Sequence, residues 1–111
     1  MTIDSIEEVM RSIKSIGHEE IRRESKTYLE IVFNGEAMGK IKTILEDYYG
    51  PAFKRAGANS GREADKFCKE YGGIQKEQEL YYKNHQGILQ LAMIWPWHDG
   101  HRSTIKIIQT H

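Results

Sequence analysis

Residues 88–95, ILQLAMIW, are apolar on both faces of any strand they form, and this restricts the fold more than any other stretch. With a period of two, Leu89, Leu91, Met93 and Trp95 share one side, continued by Trp97, while Ile88, Ala92 and Ile94 take the other. Such a strand belongs inside a sheet and must be covered above and below. The run is roughly half the ~20 residues a membrane helix needs, and it contains Gln90 and runs into Pro96. No membrane partner is expected.

The flanking patterns supply the cover. Ile6, Val9, Met10 and Ile13 recur at helical spacing behind a Ser5/Glu8 capping box, which predicts a first helix over residues 5–16, ended by Gly17. HEEIRRESK (18–26) is charged and aperiodic and carries no strand or helix pattern. TYLEIVF (27–33) alternates as a strand, with Leu29, Ile31 and Phe33 on one face and Tyr28, Glu30 and Val32 on the other. Asn34 is a good N-cap for a second helix whose stripe is Ala37, Met38, Ile41, Ile44, Leu45 and Tyr48, broken at Gly50-Pro51. AFKRAGANSG (52–61) reads as a short helical turn and a loop. Ser60 and Glu63 form a second capping box, opening a third helix through Ala64, Phe67, Cys68 and Tyr71 to Gly72-Gly73.

From there the period becomes alternating. QELYYK, ILQLAMIW and STIKIIQT are strands, with NHQG (84–87) as a hairpin loop and residues 96–102 as a second turn. The order is α-β-α-α-β-β-β. It predicts an α+β fold, a single domain over 1–111 with about four mixed or antiparallel strands and helices packed on at least one face. The second sheet face needs helix one or another copy of the chain, so a homodimer is a candidate assembly.

Sixteen basic and sixteen acidic residues cancel, which removes the global field that would draw the chain to nucleic acid. One cysteine, Cys68, excludes an internal disulfide, and together with an acidic N-terminus it suits the cytoplasm. Cys68 lies on an apolar stripe and reads as a buried, inert thiol.

Candidate sites are sparse. His98, Asp99 and His101 bring metal-ligand types within four residues. A hairpin closed at 96–102 separates them by roughly 26 Å from His85, towards which it returns His111. FNGEAMGKIKT resembles a phosphate loop but has three residues, not four, between its glycines, and Ile41 after the lysine. Lys54, Arg55 and Arg62, with Lys66 beyond, sit around a helix start and form the better phosphate or nucleic-acid candidate. Trp95 and Trp97, with Tyr82 on the adjoining strand, are placed to line a ligand pocket.

No nucleophile, base and orienting group fall together, so an enzyme is not the expectation and no cofactor is implied. The reading is a small binding or regulatory module for a protein or small ligand. The alternatives are a metal-dependent enzyme at His98/Asp99/His101 and a phosphate or nucleic-acid binder at Lys54/Arg55/Arg62.

Overall fold

A computed structural model describes residues 3–59 and 61–110. It contains three α-helices, α1 (Ile6–Ser15), α2 (Met38–Tyr49) and α3 (Arg62–Cys68). Five strands, β1 (Glu20–Glu24), β2 (Tyr28–Asn34), β3 (Glu79–His85), β4 (Ile88–Pro96) and β5 (Arg102–Gln109), form one antiparallel sheet in the order β1-β2-β5-β4-β3. The class is α+β, as expected. The strand count and order are corrected by β1, which lies in the charged HEEIRRESK segment. All five of its residues are exposed. With solvent on both sides no apolar alternation is required, so only its pairing with β2 identifies it as a strand.

Local signals set the helices. The Ser5 hydroxyl accepts from the Glu8 N–H at 3.2 Å, the first half of the capping box. Asn34 accepts from the Glu36 N–H at 2.8 Å and starts a 3-10 turn, Gly35–Ala37, that leads into α2. Gly50 ends α2 at φ 85°, a conformation that favours glycine. Ser60 lies outside the described residues, and Gly61 stands at the N-cap of α3.

α1 and α2 cover one face together. Ile6, Val9 and Ile13 of α1 and Ile41 and Leu45 of α2 pack on Leu29, Ile31, Phe33, Ala92, Ile94, Ile105 and Ile107. Burying each large aliphatic side chain here contributes about 1.5–3 kcal/mol. α3 lies on the opposite face, where Ala64 and Cys68 meet Leu80, Leu91, Met93 and Ile108. The expected grouping of helices two and three against helix one is therefore corrected. The apolar surface of β4, expected to need helix one or another copy as its second cover, is covered within the chain, Leu91, Ala92 and Met93 being fully buried.

Among the described residues 52–59, no helical turn forms. Instead the Phe53 and Lys54 N–H groups donate to the Leu80 carbonyl, and Lys54 returns an acceptor to the Leu80 N–H, closing the start of the β3 edge. The loop between β3 and β4 is a two-residue turn, with Gln86 at φ 53° and Gly87 at φ 83°, as a tight hairpin requires.

Candidate functional site

α3 shields only β3, β4 and the near side of β5. Over β1, β2 and the rest of β5, this sheet face is finished by side chains, and strand register decides which ones. Arg23 pairs with Glu30, and Glu30 with Lys106, so the three stand in one row across β1, β2 and β5. β1 slips register between Ile21 and Arg23. A bulge of this kind breaks the alternation of consecutive side chains. Arg22 and Arg23 consequently reach the same face, Arg22 over the Trp97 ring and Arg23 over the Tyr28 ring, each at 5.1 Å from the centroid.

Lys106 is the centre of this region. It is only 8% exposed. Its Nζ sits 3.4 Å from the centroid of the Trp95 ring and donates to the Tyr71 carbonyl at 3.2 Å. Burial lowers its pKa, and the Glu30 carboxylate opposes that shift. Glu30 accepts from the Tyr28 hydroxyl at 2.7 Å, and burial together with Glu30 pushes that hydroxyl far above its ordinary range. Beside the row lies a cavity of about 470 Å³ bounded by Arg23, Tyr28, Glu70, Tyr71, Lys106 and Ile108.

Gly72 positions the Trp95 wall. It adopts the left-handed conformation at φ 100°, and a Cβ there would stand 2.4 Å from Cη2 of Trp95. The indole thus lies against bare backbone. Its Nε1 is buried without a hydrogen-bond partner among the described residues.

Trp97 occupies the far end of the same face. Its Nε1 donates to the Thr104 hydroxyl at 2.8 Å, and the guanidinium groups of Arg22 and Arg102 both approach its ring, the latter at 4.6 Å from the centroid. The turn beyond it is built on Asp99, whose Oδ1 accepts from the N–H groups of His101 and Arg102 while Oδ2 accepts from the Arg102 guanidinium. Those contacts, the His101 N–H foremost, hold the Asp99 carboxyl down at about 2. Asp99 is thus a turn anchor. His98 and His101 are exposed, and His101 borders a separate polar cleft with Glu19, Asn34 and Glu36. Among the described residues, no three His, Cys, Asp or Glu side chains gather as a metal would need. His85 ends β3, remote from that turn, and His111 lies outside the described residues.

The basic cluster divides. Lys54 is 4% exposed, and its ammonium donates to the carbonyls of Arg55, Lys76 and Gln78 at 3.1, 2.7 and 2.7 Å. All three donors are engaged, leaving none for a phosphate. Arg55, Arg62 and Lys66 are exposed. Cys68 is fully buried, and burial, with Asp65, pushes its thiol up to about 11, away from nucleophilic use.

The expected trio of Trp95, Trp97 and Tyr82 is likewise split. The tryptophans share the end of this sheet face beside Lys106 and Arg22, whereas Tyr82 sits opposite Leu91, about 13 Å along β4 from Trp95. There it packs with Phe53 and Phe67, at 4.8 and 5.1 Å between centroids. The residues that sequence analysis assigns to no site are Arg23, Glu30 and Lys106. For Glu30 and Lys106 the signal is a single charged residue in each of two apolar strands, YLEIVF and TIKIIQ, which is uninformative until the strands are known to be neighbours in this register; Arg23, in the charged 18–26 segment, carries none. Comparison with known proteins gives no match to a family model, a curated protein or a solved structure.

Proposed function

We propose that the protein is a binding module for a small organic molecule bearing one anionic group, held on the open half of the sheet. The observation that carries this reading is the row Arg23–Glu30–Lys106 beside the cavity. Two positive side chains flank one negative one, leaving a single positive charge. Among the described residues Arg23 has no carboxylate within salt-bridge distance, and Lys106 has one oxygen acceptor, the Tyr71 carbonyl. A carboxylate or phosphate completes the hydrogen bonding of both cations. Tyr28, Tyr71 and Ile108 supply apolar surface for the body of the ligand, and Glu70 on another wall disfavours a second anionic group.

The two tryptophans of the chain both lie on this face and report binding directly. Titration with benzoate, phenyl phosphate, pyruvate and neutral benzamide, followed by fluorescence and thermal shift, is expected to separate the anions from the amide. Lys106→Met and Arg23→Gln are each expected to weaken anion binding by at least about tenfold, and Arg62→Gln to leave it unchanged. Equal binding of benzamide, or no response to any anion, overturns the proposal.

A further inference from the structure

We infer that Lys106 is a carbonyl-reactive lysine that forms an imine with a 2-oxo acid or an aldehyde carrying an anionic group, an inference that rests on the cavity being the ligand site. Lys54 and Lys106 are the two lysines buried among the described residues. Lys54 is locked by three backbone carbonyls, whereas Lys106 gives one hydrogen bond and borders a cavity. The groups around Lys106 are Arg23 from β1, Tyr28 and Glu30 from β2, Trp95 from β4, and Glu70 and Tyr71 from the turn after α3.

This set contains the parts the reaction needs. Arg23 receives the carboxylate or phosphate, which places the adjoining carbonyl towards the amine on the other side of Glu30. Burial lowers the Lys106 pKa, so the neutral share of this amine exceeds that of an exposed lysine, and Arg23 holds the anion while the amine is neutral. The nitrogen lone pair attacks the carbonyl carbon, a C–N bond forms, and the C=O π pair moves to oxygen. Glu30, joined at 2.7 Å to the Tyr28 hydroxyl, relays both protons of the amine nitrogen, one after the other and through one solvent water, to the departing oxygen. Water leaves and the imine remains. Nothing is oxidised or reduced, and the ligand supplies the only co-reactant.

The experiment treats the protein with pyruvate and sodium borohydride, which reduces an imine to a stable secondary amine, and maps adducts by peptide mass spectrometry. A stoichiometric adduct on the peptide containing Lys106 is expected, with the other lysines unmodified. Lys106→Arg, shown to be folded by circular dichroism, is expected to abolish it. Glu30→Gln retains the amine and is expected to slow trapping at least about tenfold while tightening pyruvate binding, since it removes the one negative charge of the row. Lactate, which lacks the carbonyl, serves as the binding control. An adduct that is absent or spread over exposed lysines, while lactate and pyruvate still perturb the tryptophans, overturns the imine and leaves the binding site standing. Failure of both acids to bind overturns the two together.

Discussion

Gly72→Ala tests how the cavity wall is built. Two costs combine at this position. Alanine in the left-handed conformation found there, φ 100° and ψ 1°, loses about 1–2 kcal/mol. The added methyl also stands 2.4 Å from Cη2 and 3.1 Å from Cζ2 of Trp95, and overpacking of this kind costs about 1–3 kcal/mol. The total is about 2–5 kcal/mol. Gly73 is the internal control, because it too has positive φ, 79°, but no atom lies within 4 Å of a Cβ there. Gly73→Ala should therefore cost only the backbone share, about 1–2 kcal/mol. Urea denaturation, monitored by circular dichroism and extrapolated linearly, measures both. In a chain of this size each kcal/mol corresponds to about 4 °C in Tm. Gly72→Ala should also alter tryptophan fluorescence, since relieving the clash moves the indole off the Lys106 ammonium. Equal destabilisation by the two substitutions, with fluorescence unchanged, would refute the claim that Trp95 requires a bare backbone at 72.

Other consequences are equally direct. Lys54→Met removes the donor from three backbone carbonyls and should cost about 2–4 kcal/mol, read as a lower Tm, whereas a merely decorative lysine would leave Tm unchanged. Thr104→Val keeps side-chain shape but leaves the Trp97 Nε1 without its acceptor, a loss of about 1 kcal/mol measurable by the same denaturation. Five of the six tyrosines, Tyr28, Tyr48, Tyr49, Tyr71 and Tyr81, have pKa values raised, chiefly by burial, above 10.0. The folded state then holds these protons more tightly than the unfolded chain, so their contribution to stability is complete below pH 10 and is lost as pH rises through the folded values. Burial lowers Lys54 and Lys106 below 10.5, which adds stability as pH rises through the window beneath that value. Absorbance titration of tyrosinate should show most tyrosines ionising together with unfolding; independent ionisation near pH 10 in a chain that stays folded contradicts their burial.

Much of the fold was readable because the signals are local. The Ser5 cap, the Asn34 cap, Gly50 and the alternation in TYLEIVF act within a few residues, and each falls in the element it marks. The Lys54 cluster misled for the opposite reason. A lysine beside an arginine ahead of a helix start reads as a phosphate contact, and only the approach of the 76–78 carbonyls turns it into a buried clamp. The turn expected over residues 96–102 is present, and Asp99, a metal-ligand candidate by type, instead caps the N–H groups of His101 and Arg102.

By itself the sequence determined which residues share a face, because side-chain alternation in a strand and the turn of a helix are fixed by backbone geometry. It could not determine which strands are neighbours. Pairing β2 with β5 joins residues 68 to 80 positions apart, and β1 becomes a strand only by hydrogen bonding to β2. The bulge in β1 and that register together place Arg23, Glu30 and Lys106 in one row. Such contacts depend on long-range closure, so the tertiary structure alone assembled the candidate site.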